Sequence, residues 1–298
     1  MAGRRIALAT CRALPEPDPD ERPLIEALEA AGHRAEAWPW DGPGPGPEAF
    51  DAVVLRATWN YFEQPARFQA WLRTVAAATR LLNPLPIARW NLRKTYLADL
   101  AERGVPVVPT TWLPAGTVRR YARLPPPSAP QSRGAPTASP APSTAHGDQV
   151  LKPVMGAGSH LTRRFGPDEA EAAQRFLDAH PELDFMQQPF LRRVEAEGEP
   201  SVVAIDGELS HAVLKHPRFD GDEERVERIP LTDRLVAFAE RVLAAAPKGW
   251  LYARVDAMAD DEGALVLSEL ELLEPSLFFE LGGPEALDRM VRGIERRS

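Results

Sequence analysis

A single cysteine, Cys11, leaves this chain no intramolecular disulfide and fits a reducing compartment. Long apolar runs are missing too, so no stretch reaches the length that spans a bilayer. The opening MAGRRIALATCRAL sets a basic pair before an apolar run, but Arg12 interrupts that run and no small-residue cleavage site follows cleanly. It reads as a first strand rather than a signal peptide, and the protein as cytoplasmic. Positive charge is in deficit: a net charge of -8 argues against a nucleic-acid or membrane-surface partner, whose footprints are basic. An anionic small ligand stays open, provided its cations are gathered locally. Nucleophile chemistry is also without support. Cys11 has no sequence neighbour to activate it, no Ser/His/Asp or Cys/His set is evident, and the histidines lack metal-ligand spacing.

What the chain does have is 298 residues, 44% of them hydrophobic, enough for about two to three lobes around sizeable cores. The first 88 alternate strand and helix. Arg5–Thr10 is a short apolar run, Glu21–Ala31 carries Leu24, Ile25 and Leu28 at helical spacing before Gly32, and strands follow at Ala35–Trp38 and Ala52–Leu55. A helix opening at Pro65 puts Phe68, Trp71, Leu72 and Val75 on one side. This order predicts a parallel α/β lobe over 1–88, in which ligands meet the carboxyl ends of the strands. Two loops therefore stand out, Thr10-Cys11-Arg12 and Arg56-Ala57-Thr58-Trp59-Asn60-Tyr61.

Residues 89–298 read as α+β. A helix over Trp90–Arg103 ends at Gly104 and holds Lys94 one turn in, and a Pro-punctuated strand follows at 105–113. Over 114–147 the composition turns to Pro, Ala, Ser and Thr, which cannot bury enough apolar surface to offset ordering; it reads as a flexible insertion. Strands at Gln149–Pro153 and Phe185–Gln188 and a helix at Pro167–Ala179 complete a central lobe of about 105–188. The last lobe, about 189–298, has strands Ser201–Ile205 and Glu208–Leu214 turning at Asp206-Gly207, a helix over 233–246 capped by Thr232, and a final helix at Pro284–Arg296.

Two stretches carry chemistry. In Lys152-Pro153-Val154-Met155-Gly156-Ala157-Gly158-Ser159 a lysine precedes a small-residue loop, whose freed amides can curl around phosphate oxygens beside a point charge. A plain hairpin turn meets the same pattern, and the P-loop order is absent because the lysine precedes the glycines. In Leu251–Ser276, LYARVDAM and ALVLSELELLEPS are two strands joined by Asp260-Asp261-Glu262-Gly263. Alternation puts Arg254 and Asp256 on one face of the first strand and Glu269 with Glu271 on one face of the second, while Ala253, Val255, Val266, Leu270 and Leu272 can pack on an apolar layer. Carboxylates held this close need a cation among them, and Mg²⁺ shares such oxygens with substrate phosphates. A solvated face with Arg254 paired across to Glu269 meets the same alternation.

In order, the helix lysine, the strand lysine with its glycine loop, the passage Gln187–Leu191, the strand-end Lys215, R-x-D and then E-x-E resemble the ATP-grasp ligases. The stretches LRATWNY, LRKTYL, LKPVMGAGS, MQQPFL, GEPSVVAIDGELSHAVLKHP, LYARVD and LSELELLEPSLF carry the resemblance over nearly the whole chain. It is nearest to the glutathione-synthetase-like branch and to the group of the O-ureido-serine cyclo-ligase, which closes the ring of cycloserine. The resemblance implies an ATP-grasp fold, with an N-terminal α/β lobe and two α+β lobes clasping the nucleotide. It implies an ATP-dependent ligase that makes an acyl phosphate and then an amide, taking Mg²⁺ or Mn²⁺ and small-molecule carboxylate and amine substrates. By the same resemblance Lys94 and Lys152 grip ATP phosphates under a loop containing Gly156, Gly158 and Ser159. Gln188 and Leu191 meet the adenine edge, Glu199 (or Glu195) the ribose, and Asp256, Glu269 and Glu271 the metal. Arg254, Lys215 and Arg225 neutralise the transferring phosphate or a substrate carboxylate, while Arg56, Thr58, Asn60 and Ser276 face substrate. Three positions depart from relatives: Ser159 replaces a further glycine, Glu271 replaces Asn, and TWNY replaces TWDY at Asn60. A phosphotransferase and a non-catalytic ATP-binding module are the alternatives, and a homodimer is compatible with the sequence.

Overall fold

The computed structural model describes residues 3–122, 147–216 and 225–298. Its first unit alternates β1 (Arg5–Thr10), α1 (Glu21–Ala30), β2 (Arg34–Pro39), β3 (Ala52–Ala57), α2 (Pro65–Ala78) and β4 (Arg80–Leu82). The strands form a parallel sheet in the order β2-β1-β3-β4, so the right-handed crossovers leave the ends of β1 and β3 adjacent at its centre. Ile6, Leu8, Leu24 and Leu28 fill one face of this sheet, and Trp40, Phe68, Leu72 and Val75 the other. β4 is three residues long, too short to show alternation, and was not expected.

The single helix expected over Trp90–Arg103 is instead two, α3 (Leu85–Asn91) and α4 (Tyr96–Glu102). Pro86 starts the first, and the break between them is held by the Lys94 N–H donating to the Val154 carbonyl at 2.8 Å. Lys94 therefore sits in a turn pointing at the next lobe, not one turn into a helix. The strand expected over 105–113 shrinks to β5 (Thr111–Leu113), because Pro106 and Pro109 offer no N–H to a ladder.

A second, antiparallel sheet in the order β5-β8-β6-β7 is built from β5, β6 (Gln149–Pro153), β7 (Arg163–Phe165) and β8 (Phe185–Pro189), with α5 (Ala170–Asp178) against it. Most of the insertion expected at 114–147 lies outside the described residues. Its first part is packed: the Arg119 guanidinium donates to the carbonyls of Leu177, His180 and Leu183 at 2.7, 3.0 and 2.8 Å.

The third sheet, β11-β10-β9-β12-β13, is antiparallel throughout. It comprises β9 (Glu199–Ile205), β10 (Glu208–Lys215), β11 (Val226–Ile229), β12 (Tyr252–Ala259) and β13 (Leu265–Glu271). α6 (Arg193–Glu197) precedes it, α7 (Asp233–Ala245) covers one face, and α8 (Phe279–Gly282) and α9 (Pro284–Arg297) close the chain. Thr232 caps α7 as expected, its hydroxyl accepting from the Leu235 N–H. Asp206 and Gly207, both at positive φ, make the tight β9–β10 turn.

β13 is an edge strand, and its open side is covered by the lobes before it. Asn91 donates to the Leu270 carbonyl and accepts from the Leu272 N–H at 2.7 and 2.6 Å, the Tyr96 hydroxyl accepts from the Leu270 N–H, and Val108 and Pro106 bond Leu267. Asn83 likewise donates to the carbonyls of Tyr252 and Leu272. The strand expected to run to Ser276 stops at Glu271, and residues 272–278 leave the sheet toward the first lobe. No helix among the described residues is long and apolar enough to cross a membrane.

Candidate active site

The site grows from the register of β12 and β13, which sets Arg254 opposite Glu271 and Asp256 opposite Glu269. Ser268 is the extra residue of a bulge, and before it the faces of β13 exchange. Leu267, not the expected Val266, therefore joins Ala253, Val255, Leu270 and Leu272 in the core. Val266 turns to the charged side and meets Val108, Leu191 and Met258, forming an apolar patch beside the carboxylates.

Arg254 and Asp256 are buried, and the half-buried charges around them are interlocked with them. Arg254 is 7% and Asp256 1% exposed. The Arg254 guanidinium donates to both Asp256 oxygens at 2.8 and 2.9 Å, to Glu271, and to the Ser276 carbonyl at 3.1 Å. Its cross-strand partner is thus Glu271, where the alternative reading had Glu269. Lys215, ending β10, reaches Asp256 Oδ2 at 2.7 Å and Glu199 Oε2 at 3.0 Å. Lys94 arrives from the turn between α3 and α4, pairs with Glu269 at 2.6 Å and donates to the Gly156 carbonyl at 2.9 Å. Lys152, midway along β6, has no hydrogen bond or ion pair to its ammonium among the described residues.

The local fields follow from this arrangement. Burial works against the charge on Asp256, but Arg254 and Lys215 outweigh it and hold the carboxyl well below its ordinary range. Burial is likewise overcome at Glu269, chiefly by Lys94 and then Lys152, and its pKa falls. At Glu271 burial prevails, Asp256 and Glu269 adding to it against Arg254, and the pKa rises to about 7. Burial lowers Lys152, with Lys94 and Lys215 repelling its charge.

The glycine loop meets this face where the Gly156 carbonyl accepts from Lys94. Gly158 and Ser159 both lie at positive φ, a conformation Ser tolerates less well than the glycine it replaces. The loop is tied to the first lobe through the Tyr61 hydroxyl, which donates to the Gly156 carbonyl at 3.4 Å, and through His160 stacked on Phe62 at 4.5 Å. Leu191 lines the apolar patch, and Gln188 is buried in β8 with its amide on Thr110 Oγ1 at 2.9 Å. Glu199 joins the charged cluster, whereas Glu195 lies outside it on Arg164.

Several expected residues are placed elsewhere or otherwise used. Arg225 is exposed and pairs with Glu227 beside it, outside the cluster. Arg56 is 1% exposed and spent on structure: it donates to Asp20 Oδ2 at 3.0 Å and the Pro275 carbonyl at 2.8 Å, tying the first lobe to the segment after β13. Thr58 is wholly buried. Asn60 accepts from Trp40 Nε1 and donates to Asp41, both at 2.7 Å. Asp41 explains the departure from TWDY, since a carboxylate at position 60 would face another carboxylate. Ser276 contributes its carbonyl to Arg254. His211 packs under the segment before α8, its Nε2 at 2.9 Å from the Leu277 carbonyl, and His216 pairs with Glu227, so neither lines the cluster.

One residue escaped the sequence reading. Glu274 is 9% exposed, its backbone carbonyl accepts from Trp59 Nε1 at 3.1 Å, and burial with repulsion from Glu271 raises its carboxyl to about 8. The third acidic residue of SELELLEP was the available signal, masked because it falls off the strand alternation. Its folded-state proton affinity exceeds that of an unfolded glutamate, so its ionisation penalty is absent at low pH and complete above about pH 8. Glu274→Gln in the ligand-free protein is therefore expected to leave stability unchanged near pH 4 and to raise it by about 2 kcal/mol near pH 9. Denaturant titrations at the two pH values check this.

Among the described residues no group of three His, Cys, Asp or Glu side chains is arranged to hold a metal ion. Arg254, Lys215 and Lys94 occupy the carboxylate oxygens that such an ion would use.

The comparisons identify the family and the fold. Residues 6–83 match the family model described as the N-terminal domain of the D-cycloserine synthetase DcsG. Over 316 aligned positions the chain is 32% identical to the cycloserine biosynthesis protein DcsG of Streptomyces lavendulae, covering 98% of each. The chain belongs to the DcsG family of ATP-grasp ligases. The crystal structure of D-cycloserine synthetase DcsG superposes with a TM-score of 0.81 at 29% identity, covering 99% of this chain and 100% of that one. A D-alanine–D-alanine ligase from Bacillus anthracis complexed with ATP matches at 0.69 and 14% identity, covering 99% and 97%, and speaks for the fold alone. As a DcsG-family member the chain has the expected ATP-grasp fold and is an ATP-dependent carboxylate–amine ligase.

Proposed function

We propose that this ligase activates the carboxylate of a small amino acid as an acyl phosphate and joins it to an amine, releasing ADP and phosphate. The observation that carries the reading is the buried face where Asp256, Glu269 and Glu271 are ringed by Arg254, Lys215 and Lys94, with Lys152 unpaired beside them. Phosphoryl transfer asks for charge neutralisation and alignment, not a protein nucleophile, and this face supplies both. The donor set suits Mg²⁺, with Mn²⁺ as a substitute, because hard carboxylate oxygens crowd one face, where burial, with repulsion from Asp256 and Glu269 added, already raises Glu271. When bound, the ion would supply positive charge to offset that of the phosphates. Asp256, Glu269 and Glu271 would hold it, releasing Lys94 and Lys215 toward the nucleotide. Lys152 needs no such exchange, and its ammonium is available to a phosphate as it stands. The patch of Val108, Leu191, Met258 and Val266 would take the adenine, with Gln188 and Leu191 at its edge and Glu199 at the ribose.

The glycine loop, tied to Tyr61 and Phe62, would exclude water from an acyl phosphate that hydrolyses readily. Relatives named for cycloserine suggest a ring-closing reaction, in which acid and amine belong to one molecule. The lone buried Cys11 suits the reducing cytoplasm. Phosphate release with Mg-ATP and a panel of amino acids, including O-ureido-serine, tests the proposal. Release that requires one amino acid is expected; ADP formation without free phosphate would mean a phosphotransferase, and a Mg-ATP thermal shift without turnover a binding module.

A further inference from the structure

We infer that Glu274 binds the ammonium group of the substrate and so makes the enzyme selective for amino acids over other carboxylic acids. The inference rests on the small-amino-acid reading above. Glu274 is the exception in its neighbourhood. Asp256, Glu199, Glu269 and Glu271 each hold a cation, whereas the carboxylate of Glu274, a residue 9% exposed, has no hydrogen bond or ion pair among the described residues. A buried carboxylate without a partner destabilises a fold, so its occurrence inside a binding cleft points to a ligand that completes it.

Its position says which ligand. Glu274 lies in the short segment between the end of β13 at Glu271 and Ser276, whose carbonyl meets Arg254, and its charge is felt by Lys94, Arg254 and the Tyr61 hydroxyl. The Trp59 indole N–H fixes the backbone of Glu274 from the loop at the carboxyl end of β3. The cations beside it attract a carboxylate, and in an α-amino acid the ammonium is bonded to the carbon next to the carboxyl group. A zwitterion therefore presents its two charges at the spacing of neighbouring protein groups of opposite sign. An uncharged acid of the same shape would leave Glu274 unpaired, which is how a site rejects an analogue that lacks one polar group.

The test compares O-ureido-serine with its α-deamino analogue in the full-length wild-type and Glu274→Gln proteins at saturating Mg-ATP. In the wild type, kcat/KM for the amino acid is expected to exceed that for the analogue by roughly tenfold or more, the scale of a charge-assisted hydrogen bond. In Glu274→Gln that preference collapses to within about twofold through a rise in KM for the amino acid, with KM for ATP and the Mg²⁺ requirement unchanged. A preference that survives the substitution overturns the inference. So does a variant whose main defect is a raised Mg²⁺ requirement, which would make Glu274 a metal ligand. If the wild type turns over neither compound nor any amino acid, the substrate reading fails first. The thermal shift given by D- and L-serine over lactate with Mg-ADP bound then judges Glu274 without turnover: a preference lost in Glu274→Gln supports the inference, and its absence in the wild type overturns it.

Discussion

Glu269→Gln is expected to lower phosphate release by a factor of 100 or more while leaving the fold intact. The residue stands opposite Asp256 in the β12–β13 register and holds Lys94 at 2.6 Å. Glutamine keeps the shape and one carbonyl oxygen but removes the charge that a divalent cation and Lys94 both require. Transition-state charge on a transferring phosphoryl group is stabilised by such groups to the extent of several kcal/mol, and about 3 kcal/mol is a hundredfold in rate. Some stability should be lost, because Lys94 and Lys152 favour the ionised Glu269 in the folded state, but Lys94 retains the Gly156 carbonyl at 2.9 Å and the fold should persist. Single-turnover phosphate release and a thermal melt, run together, check both halves. Turnover within threefold of wild type would remove Glu269 from the metal.

The charged face was legible in the sequence because strand alternation is a local rule. R-x-D and E-x-E each need only period two to put both charges on one side, and the expected turn at 260–263 aligned the two strands. The bulge at Ser268 was not legible, since nothing in LVLSEL marks where one residue will be left unpaired. Its consequence is local: Val266 turns to the charged side and joins an apolar patch next to the carboxylates, the place proposed above for the adenine. The same limit split the Trp90–Arg103 helix. Apolar spacing there continues through Leu92, Tyr96 and Leu97, and it is a carbonyl just past the distant strand β6, that of Val154, that holds the break at which Lys94 meets Glu269.

Loop residues show the opposite error. Arg56, Thr58 and Asn60 lie at the carboxyl end of β3, where ligands meet such sheets, and position alone made them candidates. Their partners come from far along the chain, Pro275 for Arg56 and Trp40 with Asp41 for Asn60, and these partners make two of them structural. Glu274 was overlooked for the matching reason, because its significance lies in the partner it lacks.

Asp20→Ala is expected to cost about 3–5 kcal/mol, a larger loss than any other single substitution considered, at a residue far from the charged face in sequence. Asp20 is 1% exposed and accepts four hydrogen bonds: from Arg56 at 3.0 Å and from the backbone N–H groups of Leu277, Phe278 and Phe279 at 2.5, 3.1 and 2.8 Å. Removing it strands three buried donors and leaves the Arg56 guanidinium with Asp18 at 3.7 Å as its remaining carboxylate. Asp20→Asn should recover part of the loss, since one amide oxygen can still accept from the backbone while the ion pair is gone. Urea unfolding measures the difference, and a loss under 1 kcal/mol would show that the segment is anchored elsewhere. The consequence extends to chemistry. Residues 274–279 reach the charged face through the Ser276 carbonyl on Arg254 and through Glu274, so releasing their anchor frees both. Asp20→Ala should therefore lower kcat/KM even at temperatures where the protein stays folded, whereas a purely global destabilisation would leave it unchanged there.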